Sequence, residues 1–69
     1  MLNVSKEDEA FLKKHIENAE NLIKQETSKH LLRALYDVIM YKGFDDDDFY
    51  NDFGREAQAV YDRIWEANQ

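Results

Sequence analysis

"MYKGFDDDDFYNDFG", residues 40–54, decides how many helices this chain has and where they lie. It holds the chain's two glycines and a run of four aspartates, and no proline occurs anywhere to mark a boundary. Gly43, following Lys42, reads as the residue that closes a helix, because glycine enters the left-handed conformation at little cost. The aspartates then read as the start of another helix. Asp45 or Asp46 can cap it, and the acids that follow are favoured by the positive end of the helix dipole. Phe49, Phe53, Ala57, Val60 and Ile64 keep one helical phase through Gly54, which predicts a helix over 46–67 with Phe49 and Phe53 facing the core. Gly54 costs that helix about 1 kcal/mol against alanine, so a kink or a close helix contact is expected there.

Upstream of this stretch lies "LLRALYDVIMY", in which only Arg33 and Asp37 are charged. It predicts a helix over 29–42. Leu31, Leu35, Val38 and Lys42 mark one face and Leu32, Tyr36 and Ile39 another, so the helix is apolar on most of its circumference. Such a helix belongs in the middle of a bundle or against a partner. Ser5 followed by "KED" is an N-cap with acids in the first turn, and Phe11, Leu12, Ile16, Ala19, Leu22 and Ile23 recur at spacings of three and four. This predicts a helix over 6–25, with Glu9/Lys13 and Glu20/Lys24 as exposed supporting pairs. "ETSK" offers Thr27 or Ser28 as the next cap and places the break between 25 and 29.

The expected fold is therefore all-α: a compact three-helix bundle with helices 6–25, 29–42 and 46–67 in a single domain over 1–69. At 69 residues a core is only just sufficient, and zero cysteines leave no disulfide or thiolate zinc site to stabilise it. Dimerisation through the second helix or the aromatic flank of the third would supply the missing burial. A composition 43% hydrophobic and 35% charged, with 13% aromatic residues, is that of a folding chain and not of a disordered acidic tail. Neither a signal peptide nor a membrane span is expected, and the cysteine usage suits a cytoplasmic protein.

Net charge is −6, unevenly spread. Residues 1–26 sum to −2, residues 27–44 to +2 and residues 45–69 to −6. The acidic last third disfavours direct nucleic-acid binding, and it excludes a helix-turn-helix reading because the recognition helix would be the most acidic part of the chain. An EF-hand counted from Asp45 places Asp47 and Glu56 correctly but puts Phe49 and Tyr50 at the fifth and sixth positions, so the motif fails. Asp48 and Asp52, one helical turn apart, supply too few ligands for a dedicated site. His15 and His30 stand alone, and no phosphate loop, serine elbow or cysteine nucleophile is present. No catalytic residue, cofactor or metal is expected, and the chain reads as a non-enzyme.

Two groups of residues remain as candidates for binding a partner. Asp45, Asp48, Asp52 and Glu56 fall in one stripe of the expected third helix, and like charges at these spacings oppose helix formation. A positive group is expected opposite them, either Lys29, Arg33 and Lys42 of the second helix or a basic patch on another protein. Tyr50, Tyr61 and Trp65 form the other flank and are residue types enriched in binding hot spots. The segment "DDDDFYND", residues 45–52, resembles the acidic, aromatic-containing segments of small phage-encoded inhibitors of DNA-processing enzymes; the likeness covers eight residues. It implies an acidic nucleic-acid mimic as an alternative function. The preferred expectation is a small acidic helical protein, bacterial or phage-like in style, that binds another protein or itself.

Overall fold

The structure, a computed structural model, describes residues 2–45 and 49–69. Asp46, Asp47 and Asp48 lie outside the described residues. Four helices are present among the described residues, not three: α1 (Lys6–His15), α2 (Ala19–Ile23), α3 (Lys29–Lys42) and α4 (Asp52–Ala67). The chain folds as a compact helical globule with principal extents of 37 × 22 × 20 Å.

α1 starts as the sequence predicts. The Ser5 hydroxyl accepts a hydrogen bond from the Asp8 amide at 3.1 Å, and Glu7, Asp8 and Glu9 occupy the positive end. The expected helix over 6–25 is nevertheless two helices. Ile16 is extended (φ −122°, ψ 117°), although its amide still donates to the Leu12 carbonyl at 2.8 Å. The dimensions of the bundle explain the break. An unbroken helix of that length would span roughly 30 Å, against roughly 21–24 Å for α3 and α4, so its end would overhang the core. The extended β-branched Ile16 turns the chain back, and Ile16, Ala19 and Ile23 are all buried in the same core. The Leu2 amide then donates to the Ile23 carbonyl at 2.9 Å, which ties the N-terminal segment to α2.

α3 has the predicted limits. The Thr27 hydroxyl accepts from the Lys29 amide at 3.3 Å, whereas Ser28 makes no side-chain cap bond. Leu31, Leu32, Leu35 and Ile39 are buried, leaving Tyr36, Met40 and Tyr41 exposed. The helix ends at Gly43, but φ there is −86° and not left-handed. Glycine is required at this point for a different reason. A Cβ added at Gly43 would fall 2.5 Å from the Ile39 carbonyl oxygen and 3.1 Å from the Gly54 α-carbon, and one added at Gly54 would run into the Gly43 carbonyl oxygen. The close contact expected at Gly54 is thus backbone against backbone.

α4 begins at Asp52 and not in the aspartate run. Its cap is Asn51, whose Oδ1 accepts from the Gly54 amide at 2.7 Å. Residues ahead of it pair instead of coiling: Phe44 and Tyr50 form an antiparallel bridge, and the Asp45 amide donates to the Phe49 carbonyl at 2.8 Å. Asp45 therefore does not cap a helix, and the Asp46 alternative falls outside the described residues. A register of bridge and cap fixes the turn between α3 and α4, because the Asn51 amide donates to the Gly43 carbonyl at 2.9 Å and the Asn51 side-chain amide donates to the Lys42 carbonyl at 2.8 Å. One asparagine thus satisfies orphan groups at the end of one helix and the start of the next.

The core comprises Leu12, Leu31, Leu35, Val60 and Ile64 at its centre, with Leu2, Ile16, Ala19, Ile23, Leu32, Ile39 and Ala57 around them. Two polar contacts close it. Asp8, 5% exposed, accepts from Arg63 Nε and Nη2 at 3.0 and 2.8 Å, joining α1 to α4. Asn3 and Asn68 bond reciprocally, the Asn3 amide to Asn68 Oδ1 at 2.7 Å and Asn68 Nδ2 to the Asn3 carbonyl at 3.0 Å.

Candidate interaction surface

The predicted partner-binding residues fall in two places. The first is a knuckle where α3 meets α4, made from the last turn of α3 and the bridged segment. Phe44 and Tyr50 stack at 4.8 Å between ring centroids, and the Tyr50 hydroxyl donates to Gln58 Oε1 at 3.2 Å on α4. Successive side chains in a bridged segment alternate, so Tyr50 against α4 sends Phe49 the other way. Phe49 is 73% exposed, which corrects its expected place in the core. Tyr41, on the adjoining turn of α3, is 85% exposed and Met40 beside it is also exposed.

The acidic stripe does not exist as a single helix face. Asp45 precedes the bridge, Asp48 is outside the described residues, and only Asp52 and Glu56 belong to α4. Asp52 is bound by Arg55, one of whose nitrogens bonds its carboxylate while another donates to the Tyr50 carbonyl at 2.9 Å. Arg55 lies three residues beyond Asp52, a spacing that pairs charges on a helix and is visible in the sequence. Lys29, Arg33 and Lys42 were the expected counterions. Among the described residues no ion pair joins them to the stripe, and Arg33 lies 3.5 Å from Asp37 of its own helix.

The second place is a groove of about 570 Å³ between the N-terminal half of α3 and the C-terminal half of α4. Leu32 and Tyr36 form one wall, and Tyr61 and Trp65 the other. Tyr61 is half-buried against the core, and Trp65 is 48% exposed. Lys29, His30 and Arg33 line the α3 end, and the lining contains no carboxylate. The flank expected to carry Tyr50, Tyr61 and Trp65 together is therefore divided, with Tyr50 in the knuckle and the other two in the groove.

Titratable groups elsewhere serve the fold. Hydrogen bonds from Arg63 hold the Asp8 carboxyl below its ordinary pKa, against the opposing effect of burial, and Asp8 in turn raises Arg63. His15 packs against both Phe11 and Phe53, 4.7 Å from each ring centroid, while those two rings stack on each other at 5.7 Å, and burial lowers its pKa with help from Lys14 and Lys42. Among the described residues no three His, Cys, Asp or Glu side chains gather in a way that could hold a metal ion. No helix among them is long and apolar enough to cross a membrane. No protein-family model, curated protein or solved structure matches the chain.

Proposed function

We propose that this chain is a non-enzymatic interaction protein that binds another protein, or a second copy of itself, through the aromatic side chains of the knuckle and the groove. The observation that carries this reading is the exposure of Tyr36, Met40, Tyr41, Phe44, Phe49, Tyr50 and Trp65 in a chain of 69 residues. A core this small gains stability from every apolar group it buries, yet these large ones stay outside it. Phe44 stacks on Tyr50 and Tyr36 shares a groove with Trp65, and aromatic residues are the types that dominate binding energy when a partner desolvates them. The alternative of a nucleic-acid mimic rests on the charge of the aspartate run, since the four acids do not share one helix face.

The reading is tested by placing a photo-crosslinking residue at Phe49 and at Trp65 in the native cell. Discrete adducts are expected from one or both positions, and they are lost when Tyr41→Ser or Tyr36→Ser is added in the corresponding patch while the thermal midpoint is kept. A chain that yields no adduct at either position and sediments as a monomer at all concentrations contradicts the proposal.

A further inference from the structure

Tyr61 and Trp65 stand as a ridge between two surfaces of opposite sign. On one side lies the groove, whose α3 wall carries Lys29 and Arg33 and whose lining contains no carboxylate. On the other side lies a smaller hollow that Asp62 and Glu66 line together with the same two aromatic residues. Each acid directly follows an aromatic residue in the chain, about 100° further round α4, so both fall on the far flank of the ridge. We infer that two copies of this chain form a two-fold dimer through this face. The Trp65 ridge of each copy sits in the groove of the other, and Asp62 and Glu66 of each face Lys29 and Arg33 of the other.

The order of the charges selects this arrangement. Across the face, basic wall, groove, aromatic ridge and acidic hollow follow one another. A two-fold axis parallel to α4, lying between groove and ridge, reverses that order in the facing copy, so ridge meets groove and acid meets base on both sides. An axis across the helices would set base against base and acid against acid, which like-charge repulsion disfavours. The levels along the helices agree. α3 and α4 run in opposite directions from the Gly43–Gly54 crossing, and equal counts of residues from it set Tyr36 beside Tyr61, Leu32 beside Trp65, and Glu66 at a height between Lys29 and Arg33. An axis parallel to α4 leaves heights unchanged, so Glu66 of one copy arrives level with the bases of the other.

The charges are available for this use. Among the described residues Lys29, Asp62 and Glu66 take part in no ion pair, and Asp62 accepts from a neutral donor, Gln58 Nε2, at 3.0 Å. Arg33 lies 3.5 Å from Asp37, but both side chains are mostly exposed, and a surface pair of that kind contributes little. A second copy is the occupant because the surface complementary to this face, an aromatic ridge with bases across a groove on one side and acids on the other, is the face itself. Such an interface is isologous and closes at two copies.

The dimer presupposes that the exposed aromatics form an interaction surface, and its test separates the two. Lys29→Glu with Arg33→Glu makes both flanks of the ridge acidic, and Asp62→Lys with Glu66→Lys makes both basic. Either variant alone sets like charges against each other on both sides and is expected to sediment as a monomer. Their equimolar mixture restores opposite charges on both sides and is expected to give a dimer with one copy of each. The native chain is expected to pass from monomer to dimer and no further as concentration rises. Trp65, the chain's one tryptophan, then shifts its emission to shorter wavelength as the dimer covers it.

Far-UV circular dichroism confirms that the variants fold. Should either double variant unfold, Arg33→Glu and Glu66→Arg repeat the comparison as single substitutions, and their mixture dimerises more tightly than either alone. A native chain that is monomeric at every concentration, one that grows past two copies, or a mixture that fails to dimerise overturns the inference. A monomer whose Trp65 crosslinks to a different protein overturns the dimer while leaving the broader function standing. A monomer without adducts at Phe49 or Trp65 overturns both.

Discussion

Gly54 lies with its backbone against that of Gly43: a Cβ at position 54 would come 2.1 Å from the Gly43 carbonyl oxygen, and one at position 43 would come 3.1 Å from the Gly54 α-carbon. This crossing sets the distance between α3 and α4 and therefore the width of the core they share. Helix propensity alone favours Gly54→Ala by about 1 kcal/mol. The obstacle is backbone that cannot rotate away, so the helices must separate. Gly54→Ala is expected to lose about 1–3 kcal/mol in urea unfolding, a typical cost of overpacking. A variant more stable than the native chain would contradict the crossing.

Asn51 uses its side chain twice, accepting from the Gly54 amide and donating to the Lys42 carbonyl. Asn51→Ala removes both bonds and is expected to cost about 1–2 kcal/mol, the upper range for a helix cap. Asn51→Asp keeps the acceptor at the positive end of α4 but loses the donor to Lys42. Its stability should fall between the two. Equal losses for Asp and Ala would mean that the cap to Gly54 contributes nothing.

The Asp8–Arg63 pair joins residues 55 apart in sequence, with the carboxylate buried and the guanidinium more than half exposed. Arg63→Ala leaves that carboxylate without its bidentate partner. The expected loss is about 1.5–3 kcal/mol, toward the lower end because solvent screens the exposed arginine. A double-mutant cycle with Asp8→Asn measures the coupling, and additive single effects would show that the pair is not formed.

Acid weakens this fold in two stages. His15 and Asp8 both have lowered pKa values in the folded chain, so over each window the unfolded chain binds more protons and stability is lost as pH falls. The first loss starts as pH drops below the ordinary imidazole value of about 6.5, and the second below the ordinary aspartate value of about 3.9. His15→Gln should flatten the first stage only, and Asp8→Asn the second only. A stability that rises on acidification through the imidazole range would reverse the sign assigned to His15.

Much of the helical core was legible because it is written in local periodicity. α3 carries its limits in the cap region at 27–28 and in Gly43, and Leu12, Leu35, Val60 and Ile64 follow from spacing alone. The division of the first helix was not legible, since the apolar phase runs unbroken through Ile16, and only the length of the neighbouring helices makes a turn there favourable. The outward place of Phe49 has a related cause. Its phase with Phe53 fits a helix, but the Phe44–Tyr50 bridge and the Asn51 cap compete for the same residues and prevail. Aspartate and asparagine suit a cap equally well, and it is Asn51, next to the first turn of α4, that takes the position. Of the candidate site, Tyr61 and Trp65 could be picked out as aromatic residues of one helix, but their separation from Tyr50, and the basic residues beside them, depend on how α3 lies along α4.

Equilibrium unfolding of Phe49→Ser tests most directly whether the aromatic knuckle is surface held for a partner or core. A ring 73% exposed contributes little to the isolated fold. Its loss is expected to change stability by no more than about 0.5 kcal/mol, the range of ordinary surface substitutions, while crosslinking or self-association through the knuckle disappears. A destabilisation of about 3 kcal/mol or more, typical of a deleted core aromatic, would place Phe49 inside the protein and contradict the account.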